Sequence, residues 1–145
     1  MILILSEEKE PNAEEVILRL NEKKQDYFRI NGEGIPLNYT ITLDSDENDF
    51  IIEDLANLNT TPKIKLKQIT SVWNRRRGIF QPSNDLLENE QAFIRGECDS
   101  VYESLALFTN GARWMNDIWK QKYALNQIVQ LVTAQRVGLE VPKWL

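Results

Sequence analysis

The chain has 145 residues, of which 42% are hydrophobic, 9% aromatic and 27% charged, a length that suits one domain or one domain and the start of another. At this size a chain buries roughly 70% of the surface its unfolded form exposes, so a core forms without disulfides or metal. Its 17 Lys and Arg against 22 Asp and Glu leave a net charge of −5 and exclude a broadly basic nucleic-acid binder, and the lack of any histidine excludes Ser-His-Asp and Cys-His machinery, His-ligated zinc and imidazole pH switches.

Ile2 to Leu5 is a short continuous apolar run that predicts a buried strand. It passes straight into Ser6-Glu7-Glu8-Lys9-Glu10, far too short for a signal peptide or membrane span. A lone cysteine, Cys98, cannot form an internal disulfide, so the chain reads as a soluble, cytoplasmic protein. Asn12 after Pro11, with Glu15 three residues on, predicts a capping box, and Ala13, Val16, Ile17 and Leu20 then recur at helical spacing. Asp26 to Ile30 returns as a strand closed by Asn31 and Gly32, and a crossover of this length implies parallel strands joined right-handedly.

Tyr39, Ile41 and Leu43 alternate with threonines as in a half-exposed strand, Asp44 to Asp49 is a polar turn, and Phe50 to Ile52 is the return strand. Lys63, Lys65 and Lys67 alternate with Ile64 and Leu66, leaving a lysine face in water, and Ile69 to Trp73 reads as more buried. From Ser83 onward the pattern is helical, with Leu87, Ile94, Cys98, Val101, Leu105 and Phe108 on one stripe that Asn110-Gly111 stops. One last helix is expected over roughly Ile118 to Val137, with Gly138 placed for a left-handed cap and Pro142 forbidding continuation. The fold class is α/β: a mixed, partly parallel sheet, an antiparallel hairpin elaboration, and helices concentrated in the C-terminal half.

Trp73-Asn74-Arg75-Arg76-Arg77-Gly78 stands where a strand gives way to a loop, and ligands of open α/β sheets gather beyond the carboxyl ends of strands. Guanidiniums beside an indole could clamp carboxylates or phosphates bidentately, or form a solvated basic turn paired with the many acidic groups. Adjacent arginines cannot all point one way, so one or two would engage a ligand. Asp44 to Asn48 superficially resembles a calcium loop, but Asp49 replaces the bend glycine and Leu55 the bidentate glutamate, which favours a hairpin turn. Asn31-Gly32-Glu33-Gly34 lacks the third glycine and following helix of a phosphate cradle and reads as a turn. Cys98 reads as a small buried hydrophobe. Trp114, Trp119 and Trp144 lie around the final helix and suit an aromatic contact surface or packing against a neighbour.

Ser71-Val72-Trp73-Asn74-Arg75-Arg76 resembles the tryptophan-tyrosine-arginine-arginine motif of ATP-grasp ribosomal peptide maturases of the microviridin and grasp-with-spasm graspetide type. Trp114-Met115-Asn116, Ala124-Leu125-Asn126-Gln127, Gln130-Leu131, Ala134, Val137-Gly138-Leu139 and Val141-Pro142 resemble the stretch that leads such enzymes into their ATP-grasp fold. The resemblance implies a small pre-ATP-grasp α/β domain over 1–115 and a helical segment, 116–145, leading toward an ATP-grasp domain. It also implies a ligase that activates an Asp or Glu of a ribosomal precursor peptide as an acyl phosphate, with ATP and magnesium, for attack by a hydroxyl or amine. Departures are Asn74 for the motif's tyrosine, Asp117 where proline is common, and Gln127 where a phosphate-contacting lysine is expected.

The expected role is therefore the amino-terminal domain of a complete enzyme, with no catalytic, cofactor or metal residue of its own. Trp73, Arg75, Arg76 and Arg77 are the candidate substrate-binding residues, Arg75 and Arg76 foremost. The expected partners are the precursor peptide, the remaining ATP-grasp domains and, as an option, a second copy in a homodimer, with no nucleic acid or membrane. A stand-alone, non-enzymatic module holding a precursor peptide or partner protein is the alternative. A receiver-like domain fits less well, because the hairpin lysines do not create a phosphorylation site.

Overall fold

The computed structural model describes residues 1–109 and 111–142. Asn110 of the expected helix stop and Trp144 of the expected aromatic surface lie outside them, as do Lys143 and Leu145. In chain order the elements are β1 (Ile2–Ser6), α1 (Pro11–Glu22), β2 (Tyr27–Asn31), β3 (Tyr39–Asp44), β4 (Asp49–Asp54), β5 (Lys63–Lys65), β6 (Ser71–Asn74), α2 (Glu88–Phe108), β7 (Arg113–Met115), α3 (Ile118–Ala124) and α4 (Gln127–Arg136). Four strands form a parallel sheet in the order β2-β1-β6-β7, and three form an antiparallel sheet in the order β3-β4-β5. This is the α/β class the sequence implies, with three of the four α-helices among the described residues in the C-terminal half.

β1 is interior to its sheet, with Leu3 opposite Phe28 on one side and Val72 on the other. A strand covered on both faces reads as an unbroken apolar run, and Leu3, Ile4 and Leu5 are fully buried. Each such side chain contributes roughly 1.5–3 kcal/mol relative to exposure. The edge strand β2 is closed by a side chain: Asn59 accepts from the Arg29 amide at 2.6 Å and donates to the Arg29 carbonyl at 2.9 Å. Buried Asp54 holds Asn59 in place by accepting from its side-chain amide at 2.9 Å. The middle of this edge strand is thereby withdrawn from pairing with another chain.

The cap of α1 is not Asn12. Glu10 precedes Pro11 at the first helical position, its carboxylate accepts from the Ala13 amide at 2.7 Å, and Asn12 donates to the same carboxylate at 2.8 Å. Proline at that position costs no hydrogen bond, so the helix starts two residues earlier than the Asn12–Glu15 pattern suggests. Its inward face is as expected, with Ala13 buried and Val16, Ile17 and Leu20 half-buried.

Asp44 accepts from the amides of Asp46 and Glu47, both at 3.2 Å, and so forms the hairpin turn expected of this segment. Ile52 and Ile64 pair across the antiparallel sheet and are buried. α2 lies against this sheet, with the Phe50 and Phe108 rings edge to face at 4.3 Å. It begins at Glu88 rather than near Ser83, because the Ser83 hydroxyl turns the chain at Asp85 and the Glu90 carboxylate accepts from the Leu87 amide at 2.8 Å. Its buried residues are Cys98, Tyr102, Leu105 and Ala106, so the stripe is rotated from the one expected: Leu87 is exposed and Tyr102 takes the place of Val101. Burial raises the Cys98 thiol above its ordinary value, as befits a small hydrophobe.

β7 was not expected from the sequence; Trp114 lies in it, and its indole donates to the Thr109 carbonyl at 3.3 Å. The chain divides into two compact units, Met1–Met115 and a second beginning at Asn116. Within the second unit the single expected helix is two. Asn126 accepts from the Ile128 and Val129 amides at 3.0 and 3.2 Å, and this cap breaks the helix in the middle of an unbroken apolar periodicity. At the end of α4, Gly138 takes φ +86° and donates to Gln135 at 3.1 Å, while Leu139 donates to Ala134 at 2.9 Å, the left-handed closure expected of that glycine. Among the described residues no helix is long and apolar enough to cross a membrane.

Candidate functional site

The chain leaves β1 toward β2 on one side, and β6 lies on the other side of β1. The crevice between the carboxyl ends of β1 and β6 is therefore the switch point of the sheet, where ligands of open α/β sheets settle. Two loops border it, Glu7 to Glu10 after β1 and Arg75 to Gly78 after β6. The Arg75 amide donates to the Leu5 carbonyl at 2.9 Å, which ties the second loop to the end of the first strand.

Each arginine of the cluster has a different acidic partner. Arg75 Nε donates to Glu10 at 3.3 Å, its side chain 35% exposed against 3% for Glu10. Arg76 stands 3.7 Å from Glu7 and is 64% exposed. Arg77 turns toward α2: it pairs with Asp99 there, its side chain half-buried, and its guanidinium lies 4.5 Å from the Phe80 ring centre and 5.1 Å from that of Tyr102. Trp73 is half-buried within β6, in register with Ile4 and Met115. By strand alternation it faces away from Asn74, whose side chain accepts from the Tyr102 hydroxyl at 2.7 Å on the α2 side. The structure thus brings Arg75 and Arg76 together at the crevice, keeps Trp73 in the sheet beside it and ties Arg77, about as exposed as Arg75, to α2.

Arg29 organises the opposite bank. Its side chain, 12% exposed, donates to the carbonyls of Glu7 and Glu8, both at 2.9 Å, and to the Ser6 hydroxyl at 2.9 Å, and pairs with Glu14. Ser6 in turn donates to Asn31 at 3.3 Å. The turn after β2 packs directly on the arginine loop: a Cβ on Gly32 would lie 1.6 Å from the Arg77 carbonyl oxygen. Gly78, at φ +73°, has the Glu33 carboxylate 2.4 Å from where its Cβ would be. Both positions require glycine. Beside them opens a polar cleft of about 680 Å³ lined by Glu8, Glu33, Asn38, Ser83, Asp85 and Arg95, among others.

Sequence reasoning missed Glu7, Glu10, Arg29 and Asp99. Glu10 carried a signal, since an acidic residue before a proline-led apolar stripe is a helix-start pattern. The pairings are non-local, Glu10 to Arg75 spanning 65 positions, and left no local trace. Burial of Glu10 is offset by its partners: donation from Asn12 above all, then from Ala13 and Arg75, holds its carboxyl below the ordinary value. Among the described residues no three Asp, Glu or Cys side chains gather to hold a metal ion.

No protein-family model matches the chain, and no curated protein matches it. Solved structures do. The macrocyclase MdnB from Microcystis aeruginosa MRC is 22% identical with a TM-score of 0.81, over 97% of this chain and 45% of that one. The macrocyclase MdnC from the same source, bound with precursor peptide MdnA, is 20% identical with a TM-score of 0.79, over 98% and 46%. A RiPP-associated ATP-grasp ligase from Chryseobacterium gregarium, in complex with ADP and a leader and core peptide, is 16% identical with a TM-score of 0.70, over 97% and 42%. The chain thus spans a little under half the length of each. Over nearly its whole length it has the fold of a part of these RiPP macrocyclases and ATP-grasp ligases, the fold that the resemblance implies.

Proposed function

We propose that this chain is a substrate-facing domain of an ATP-dependent carboxylate–amine or carboxylate–alcohol ligase that cross-links side chains of a ribosomal precursor peptide. The observation that carries this reading is the pair of guanidiniums, the half-buried Arg75 and the exposed Arg76, at the sheet's switch point in a chain with the fold of such ligases. The domain holds no catalytic residue. Arg75 and Arg76 receive a carboxylate of the peptide's acidic side chains, Trp73 walls the crevice, and Arg77 fastens the loop to α2. ATP and magnesium belong to the rest of the ligase, and no step through them is assigned to these residues.

A guanidinium fork suits this task because it matches a carboxylate with two parallel hydrogen bonds and keeps its charge at any working pH. Holding the acidic side chain in one place lowers the entropic part of the barrier to its activation. The test is charge reversal in the complete ligase. Arg76→Glu lowers turnover of the precursor peptide by roughly tenfold or more, the worth of a charged hydrogen bond, with thermal unfolding unchanged. Undiminished turnover overturns the assignment. A stand-alone module that binds peptide without catalysis is the second reading, favoured by Gln127, a neutral amide at the first position of α4. It predicts tight peptide capture by this chain alone, with no response to ATP.

A further inference from the structure

Arg75 and Arg76 are adjacent in sequence but differently held. Arg76 reaches into solvent with a loose ion pair, whereas Arg75 is fixed at its backbone by the Leu5 carbonyl and at its Nε by Glu10. Among the described residues Glu10 is the one side-chain partner of Arg75, so the two terminal nitrogens of that guanidinium are unengaged. Glu10 is itself immobilised from behind, accepting from the Ala13 amide at 2.7 Å and the Asn12 side chain at 2.8 Å. Helix caps are ordinarily short side chains, Ser, Thr, Asp or Asn. A glutamate caps α1 here, and its extra methylene lets one carboxylate serve the helix and reach Arg75 as well.

We infer that Glu10 is a positioning residue: it clamps one edge of the Arg75 guanidinium so that the other edge is presented, pre-aligned, to a carboxylate of the bound peptide. The inference rests on the peptide-binding reading above and adds the residue that aims its cation. A side chain already ordered by the protein loses less freedom on binding, which favours affinity. Charge alone predicts the opposite, because an acid beside Arg75 weakens the local positive potential. The two accounts therefore differ in sign.

The experiment is a binding cycle on this chain, read by fluorescence anisotropy. Its probe is a labelled synthetic peptide bearing glutamates and aspartates, set against its Gln/Asn twin. The wild-type chain prefers the acidic peptide by roughly tenfold, the scale of one charged hydrogen bond. Glu10→Asp keeps the cap and the charge but draws the carboxylate back from Arg75, and it removes most of that preference with the unfolding midpoint retained. In the Arg75→Ala background the same substitution has no further effect, since it acts through Arg75. An unchanged or increased preference in Glu10→Asp, or an equal loss in both backgrounds, overturns the inference. Should Glu10→Asp fail to fold, Arg75→Lys leaves the cap untouched, keeps the charge and must lose the same preference, and an undiminished preference overturns the inference. A wild-type chain blind to the difference between the peptides removes the peptide-binding reading and this inference together. Discrimination by wild type with additive losses removes the Glu10 role alone.

Discussion

The two ends of the arginine loop use one residue type in opposite ways. At Arg77 the guanidinium is stacked on Phe80 and Tyr102 and paired with Asp99, so it joins the loop to α2. At Arg75 and Arg76 the partners, Glu10 and Glu7, come instead from the loop after β1, across the crevice from the arginine loop, and neither guanidinium lies over a ring among the described residues. Consecutive residues of an irregular segment point in different directions, and what each one meets is decided by elements remote in sequence. A basic run is therefore divided by the fold into a fastener and a presented face. The division assigns stability to one end and binding to the other, and substitutions can separate the two.

The largest effect is expected at the contact that holds the loop against the turn after β2. Gly32→Ala places a methyl 1.6 Å from the Arg77 carbonyl oxygen, a backbone atom with no side-chain freedom to give way. The loop or the turn must move, at a cost of about 3 kcal/mol or more, and urea unfolding should show the midpoint falling accordingly. A midpoint within error of wild type would mean that the turn and loop do not touch in solution. Next comes Arg77→Ala, which removes two ring contacts and a partly exposed ion pair. Cation–π contacts contribute about 0.5–2 kcal/mol each by exposure, and such a pair under 1 kcal/mol, so a loss of about 2 kcal/mol is expected. Arg76→Ala should change stability by less than about 0.5 kcal/mol, because its side chain is mostly in water. Equal losses at Arg76 and Arg77 would erase the division between the two ends.

Much of the framework was legible because it rests on local or periodic signals. Leu3, Ile4 and Leu5 announce a doubly covered strand, Ala13, Val16, Ile17 and Leu20 a helix face, and Tyr39 to Ile52 a hairpin. β7 was not legible, since three residues with two of them exposed carry no run and no alternation to read. The break at Asn126 was hidden by apolar residues that keep helical spacing across it. Tyr102 was overlooked because the stripe through Val101 has the same period, rotated by one position, and only the Asn74 acceptor distinguishes them. At the candidate site the position of the arginine run beyond a strand end was readable. The partner of each arginine was not, because Glu7 and Glu10 belong to the far end of the chain and Asp99 stands 22 positions on, in α2.

The smallest effect expected is a pH dependence confined to the binding end of the loop. Hydrogen bonds from Asn12 and Ala13 and the charge of Arg75 hold the Glu10 carboxyl below its ordinary value of 4.5, against the opposing effect of burial. Between the two values the unfolded chain binds a proton that the folded chain refuses, so stability rises with pH across that interval. The contribution is complete above the ordinary value and is lost as pH falls through the depressed one. Glu10→Gln lacks the titrating group, so its unfolding midpoint should lie below that of wild type at neutral pH, the gap narrowing as acid is added. Asp99, at the other end, is untouched by this substitution, so Arg77→Ala should cost the same in the Glu10→Gln background as in wild type. A gap that widens on acidification would mean that the fold does not favour the charged carboxylate, and the clamp on Arg75 would lose its basis.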